Sequence, residues 1–139
     1  MKKEVCVITG GGSGMGLAAA KYMPKEKIIL VTGRTLAKLE RAVTELQEAG
    51  YEAYAKTCDT SVRSQVQELA AYAAELGEIK NVIHAAGLSP AMADPEKLLR
   101  VNALGTVYIN QEFSKYMKAG SVIVDISSNS AYMIPGFLA

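Results

Sequence analysis

Eight residues near the start of the chain restrict its fold more than any others: Thr9, Gly10, Gly11, Gly12, Ser13, Gly14, Met15 and Gly16. An apolar run, residues 5–9, precedes them, and a helix-like run, residues 14–23, overlaps their end and stops at Pro24. Strand, glycine loop and helix in that order make a phosphate-binding turn. Glycines allow backbone conformations that a Cβ forbids and let a ligand approach closely. The helix start turns unpaired N–H groups and a partial positive charge toward the loop.

The remaining sequence repeats this alternation. Residues 28–32 form a continuous apolar run, the mark of a strand buried on both faces. A helix is expected over residues 36–49, with Leu36, Leu39, Val43 and Leu46 on one face and Gly50 as its stop. Residues 51–57 form a less apolar third strand, suited to a sheet edge. Ser61 is the expected cap of a third helix whose face is Val62, Val66, Leu69, Ala73 and Leu76, closed by Gly77. A fourth strand covers residues 80–85, residues 90–95 form a loop, and a long helix spans residues 96–117. The fifth strand covers residues 121–126, and residues 127–139 read as loop.

Five strands alternating with four helices specify an α/β protein with a parallel sheet. Right-handed crossovers and a phosphate loop after the first strand favour a doubly wound, three-layer α/β/α arrangement with strand order 3-2-1-4-5. Ligands then bind where the first and fourth strands part. At 139 residues, half of them hydrophobic, the chain reads as one domain, residues 1–139. A net charge of +1 gives no reason to expect nucleic acid or an anionic membrane as partner. No apolar run approaches the ~20 residues of a membrane span. The N-terminus lacks a signal-peptide pattern, so a cytoplasmic protein is expected. Cys6 and Cys58 have neither metal-ligand nor disulfide spacing and read as buried, reduced thiols; no metal site is expected. The long helix carries more apolar residues than one sheet face needs, which points to a second buried side and a homodimer or homotetramer.

Several positions carry chemistry. The dinucleotide fingerprint G-x-G-x-x-G is met only in relaxed form, by Gly14, Gly16 and Ala19. What stands here instead is T-G-x-x-x-G-x-G, as Thr9, Gly10, Gly14 and Gly16. That pattern resembles the short-chain dehydrogenase/reductase family, whose fold is the Rossmann fold. Gly10, Gly12, Ser13, Gly14, Met15 and Gly16 are then the expected diphosphate contacts. At the end of the second strand, NAD sites carry an acid for the ribose hydroxyls. Gly33 and Arg34 stand here, leaving room for a 2′-phosphate and a charged fork to hold it, so NADP is expected over NAD. The alternative for Arg34 is a solvated charge at the start of the second helix.

Asp59 either starts the third helix or, as the resemblance implies, accepts from the adenine amino group, with Thr60 beside it. His84, Ala85, Ala86 and Gly87 resemble the family's N-N-A-G element, with His and Ala in place of two Asn. His84, Ala85 and Gly87 are expected near the cofactor ribose. His84, the only histidine, suits a core or supporting position better than that of a catalytic base. Asn102 and Gly105 resemble the family's N-x-x-G element, which implies that Asn102 holds a water in a proton relay; a structural hydrogen bond is the alternative. In Ser127-Ser128 the second serine matches the family's catalytic position, and Ser127 is the fallback.

The family completes its site with Tyr-x-x-x-Lys. Here the residues four places after Tyr22, Tyr51, Tyr54, Tyr72, Tyr108, Tyr116 and Tyr132 are Glu26, Ala55, Cys58, Leu76, Glu112, Gly120 and Gly136. The resemblance therefore implies the N-terminal part of a family member, truncated after the fifth strand. Its parent reaction is hydride transfer between nicotinamide and a small-molecule carbonyl or alcohol, and the chain alone is expected to bind NADP without turnover. Two other readings stand beside it: a non-catalytic NADP-binding regulatory module, and an S-adenosylmethionine-dependent methyltransferase, against which Gly33 and Arg34 argue.

Overall fold

Five parallel strands form one sheet in the order β3-β2-β1-β4-β5 in the computed structural model, which describes residues 2–88 and 94–126. They are β1 (Glu4–Thr9), β2 (Ile28–Gly33), β3 (Glu52–Thr57), β4 (Glu78–His84) and β5 (Val122–Asp125). The less apolar β3 lies at an edge, as its composition suggests. The apolar runs of β1 and β2 occupy the middle, where both faces are covered: Val5, Val7, Ile28 and Leu30 point to one face, and Cys6, Ile8, Ile29 and Val31 to the other.

Helices cover the two faces. On one, α1 (Gly14–Ala20) and α2 (Leu36–Glu48) pack through Ala20, Leu39, Ala42 and Leu46. On the other, α3 (Arg63–Leu76) brings Val66, Leu69, Ala70 and Ala73 against the sheet. Beside α3 lies the expected long helix, but it is not uniform. It consists of a short α4 (Pro95–Leu99), a π-helical turn (Arg100–Leu104) and α5 (Gly105–Ser114), whose Ile109 and Phe113 reach the core. Helices on both faces of a parallel sheet in this order make the doubly wound Rossmann fold. Cys6 and Cys58 are buried free thiols, and burial pushes both up to about 12.

Some element boundaries differ from expectation for local reasons. α1 ends at Ala20 rather than residue 23. Tyr22 and Met23 bond three residues back, to Ala19 O and Ala20 O, a tightened last turn ahead of Pro24. Ser61 does not cap α3. Its hydroxyl and N–H both donate to Asp59 Oδ1, at 2.6 and 3.0 Å, and Val62 takes the cap position without a side-chain bond. Pro95 is not loop but the first residue of α4, with Asp94 Oδ1 accepting from Lys97 N–H at 2.9 Å. β4 begins two residues early, at Glu78, whose N–H donates to Lys3 O. The expected loop over residues 127–139 lies outside the described residues.

The sheet is unevenly covered. On β5, Ile123 packs into the α3/α5 layer, whereas Val122, Val124 and Ile126 remain largely exposed. Leu99, Leu104 and Val107 of the long helix are also exposed, in agreement with its surplus of apolar residues. Among the described residues no helix is long and apolar enough to cross a membrane.

Candidate active site

β1 and β4 part at their C-terminal ends, and a cleft opens there. Its lining includes Thr9, Gly10, Gly12 and Ser13 from the glycine loop, Gly33, Arg34, Thr35 and Lys38 from the end of β2 and the start of α2, and Asp59 and Thr60 after β3. Ala86, Gly87, Leu88 and Val101 close the other side. The topology thus gathers residues from the C-terminal ends of four neighbouring strands.

Gly10, Gly11 and Gly16 of the loop cannot take a Cβ without collision. Gly10 has φ +64°, and a Cβ there would lie 2.9 Å from Ala86 N. A Cβ on Gly16 would lie 2.4 Å from Gly10 O. Loop and helix start therefore stack backbone on backbone, and the loop meets the cleft with two glycines between the side chains of Thr9 and Ser13. Gly14, at φ +60°, has open space around it, so its requirement is conformational only. Ser13 precedes α1 without spending its hydroxyl on a cap bond.

One side of the cleft is cationic. Arg34 and Lys38 stand at its rim, Arg34 just before α2 and Lys38 in its first turn. Asp59 is the acid nearby. Burial works against its charge, yet the hydrogen bonds from Ser61 and the neighbouring Arg34 and Lys97 outweigh it and hold the carboxyl below the usual value. Thr60 is buried against α5: a Cβ on Gly105 would come 2.8 Å from Thr60 Oγ1. Cys58 also lines the cleft, as an uncharged thiol.

His84 and Ala85 do not line the cleft. Strand alternation turns His84 into the α3/α5 layer, where it is 3% exposed. Its Nδ1 stands 2.7 Å from Thr9 Oγ1, and burial pushes its pKa down, partly offset by Asp125. Ala85 acts through its backbone: its N–H donates to Thr9 O, and its carbonyl packs on Gly10. Gly14 and Met15 do not line the cleft either, and both are exposed.

Asn102 is exposed and lies in the π-helical turn, not in a regular helix interior. Its side chain holds Leu88 by both backbone groups, and its carbonyl accepts from Thr106 Oγ1 at 2.8 Å. A bulge of this kind displaces one turn's carbonyls from their usual partners, a feature common at functional sites. Ser127 and Ser128 lie outside the described residues. Asp125, just before them, accepts from Asn110 Nδ2 at 3.2 and 3.1 Å.

Sequence reasoning missed Thr9, Thr35, Lys38, Leu88 and Val101 as cleft residues. Lys38 had a usable signal: it stands four residues after Arg34, on the first turn of the helix that Arg34 introduces. Val101 had none, because its apolar side chain reads as ordinary core.

The cleft, its glycine loop and its strand order can be set beside known proteins. The family model described as short chain dehydrogenase matches residues 4–138. The short-chain dehydrogenase/reductase bsc3 of Alternaria brassicicola is 31% identical over 134 residues, which is 96% of this chain and 48% of that protein. A crystal structure of an actinorhodin polyketide ketoreductase variant with NADPH superposes at TM-score 0.80 with 28% identity, over 92% of this chain and 54% of that one. An NAD+-bound xylitol dehydrogenase superposes at 0.83 with 25% identity, over 95% and 55%. The chain spans about half the length of the curated relatives it matches. A match over nearly every residue, on a sheet wound in this order around a T-G-x-x-x-G-x-G loop, leaves one assignment: this chain belongs to the short-chain dehydrogenase family.

Proposed function

We propose that this chain is the NADP-binding portion of a short-chain oxidoreductase, with Arg34 and Lys38 holding the 2′-phosphate. The observation that carries this reading is the pair of cations at the rim of the cleft, beside Gly33 and with no acid at that strand end. A carboxylate there would serve a free ribose hydroxyl and repel a phosphate; a guanidinium and an ammonium do the reverse.

The rest of the cleft fits a dinucleotide. The glycine loop leaves its backbone N–H groups and the Ser13 hydroxyl for a diphosphate. The seven-residue α1 adds only a modest dipole, so the loop itself carries most of that role. Asp59, ionised and fixed by Ser61, presents an acceptor for an adenine amino group, and Thr60 walls that side. Bound nicotinamide supplies hydride chemistry toward a carbonyl or alcohol. The chain's own residues bind and orient: Gly87 gives room beside the ribose, Asn102 fixes the loop that bounds it, and Ser128 is the hydroxyl assigned to polarise the substrate oxygen.

The 139 residues are assigned as a single domain that binds cofactor without turnover. The support is that none of its seven tyrosines is followed four residues later by lysine. That same observation favours a second reading, an NADP-binding regulatory module. Exposed Leu99, Leu104 and Val107 support a homodimer or homotetramer. A cytoplasmic location is part of the proposal and rests on the sequence pattern alone.

Calorimetric titration with NADPH and NADH tests the assignment. NADPH should bind about tenfold or more tightly, the worth of one charge-assisted contact to the phosphate. Equal affinities, or preference for NADH, would overturn it. Turnover of any ketone or alcohol by mass-verified 139-residue protein would overturn the inactivity.

A further inference from the structure

The Thr9 hydroxyl stands where the glycine loop leaves the sheet, and two partners meet it there. Ala86 N–H donates to Thr9 Oγ1 at 3.0 Å, and His84 Nδ1 is 2.7 Å from the same oxygen. Thr9 and His84 are opposed in the β1–β4 register, and both are buried.

Counting protons across this trio selects one tautomer. A hydroxyl has one proton to give and two lone pairs to receive with. If Nδ1 is the acceptor, Thr9 gives its proton to the ring and receives Ala86 N–H. Only the Nε2–H then lacks a partner among the described residues. If Nδ1 carries the proton, Thr9 must accept twice. Its own proton and the Nε2 lone pair are then both unmatched. Each buried unmatched group is costly, so the first arrangement prevails.

We propose that His84 is a positioning residue for the cofactor: as the neutral Nε2–H tautomer it takes the Thr9 proton, turns a Thr9 lone pair to Ala86 N–H, and so fixes the glycine loop against the segment after β4. The inference rests on the reading of the cleft as an NADP site. Both walls of that cleft meet at this hydroxyl. Gly10 follows Thr9 and packs on Ala86 N, and Thr9 O also accepts from Ala85 N–H. No side chain of the loop itself can replace the contact.

Protonating the ring disturbs this arrangement. Nδ1 becomes a donor, Thr9 must accept from it and from Ala86 N–H, and the Thr9 proton is left with no acceptor among the described residues. From β5, Asp125 favours the charged ring, but burial outweighs it. On the helices of this layer the buried Glu112 of α5 is neutralised by Arg63 of α3 and by Lys115, so Asp125 is the charged group that acts on the ring, and Thr9 of β1 is the neutral polar group that meets it.

His84 is the only histidine, so nitrogen NMR of the labelled chain reads one ring. The expected spectrum shows a bare Nδ1 and a protonated Nε2, with a titration midpoint below 6.5. NADP+ affinity, followed by calorimetry, should fall below that midpoint by up to about tenfold per pH unit, the limit for binding to one protonation state. His84→Asn keeps an acceptor oxygen for Thr9 and does not titrate, so its affinity should lose this fall. Any pH slope from the 2′-phosphate itself remains in both proteins. His84→Leu removes the acceptor and should bind more weakly across the range. NADP+ binding with an Nδ1–H tautomer, or with identical pH slopes in wild type and His84→Asn, overturns the role of His84 alone. No NADP+ binding by wild type at neutral pH overturns the cofactor reading and this role with it.

Discussion

Asn102 holds Leu88 by both of that residue's backbone groups: Oδ1 accepts from Leu88 N–H at 2.8 Å, and Nδ2 donates to Leu88 O at 2.9 Å. A primary amide is the side chain that can do both at once. It ties the π-helical turn to the segment after β4, so the rim of the cleft is fixed from a helix rather than by its own loop. Asn102→Asp keeps the acceptor and loses the donor, and it sets a carboxylate against Leu88 O. We expect a loss of about 1–2 kcal/mol in urea unfolding, one hydrogen bond plus the repulsion. Asn102→Ala should cost a similar amount. An unchanged midpoint in both would show that the clamp carries no stability.

The glycines of the loop should separate by mechanism. Gly16→Ala drives a Cβ onto Gly10 O, backbone that cannot swing away, and should cost about 3 kcal/mol or more, the upper end for overpacking. Gly14→Ala meets open space and pays only for its positive φ, about 1–2 kcal/mol. Equal costs in thermal unfolding would mean that the loop relaxes around residue 16.

Acid should weaken the fold well above the range where carboxylates titrate. Burial lowers the folded-state pKa of His84, so between that value and the ordinary 6.5 the unfolded chain binds more protons than the folded one. Stability is therefore full above 6.5 and declines as the pH falls through it toward the folded value. The decline should be visible in urea midpoints at about pH 7.5 and 5.5 and nearly absent in His84→Asn. The lowered pKa of Asp59 adds a second decline, which begins as the pH falls through the ordinary carboxylate value and is complete once the folded group takes up its proton.

Neither thiol should react readily. Cys6 and Cys58 are buried and held near 12, so almost no thiolate exists at pH 8. An aromatic disulfide reagent should label both only as fast as the structure opens. Cys58 lines the cleft and Cys6 lies in the sheet centre, so NADP+ should protect Cys58 further. Rapid labelling of Cys6 in native protein would contradict the packing.

The layer structure was legible because continuous apolar runs such as 28–32 can only be central strands, and the phosphate loop fixes which strand starts the winding. The π-helical turn was not. It accompanies a long-range approach, Gly105 against Thr60, that no periodicity within residues 96–117 encodes. The start of α4 is written in Asp94 and Pro95, a capping residue before a first-turn proline, inside the stretch whose Pro90 and Pro95 suggest a loop. At the site, Arg34 could be found because the end of the second strand is a known place to look. The partnership of Thr9 with His84 could not, because it depends on the β1–β4 register, which shifts between Val5 and Cys6.

The thin cover over β5 has a kinetic meaning. β5 has four residues, pairs among the described residues with β4 as its one neighbouring strand, and leaves Val122 and Val124 half exposed, while β1 and β2 are sealed on both faces. Local opening draws on regions with few buried contacts. Amide exchange should therefore run fastest at β5 and slowest at β1, grading across the sheet. On that expectation the strand that carries the glycine loop is the still one, and the strand at the edge beyond β4 is the one that breathes.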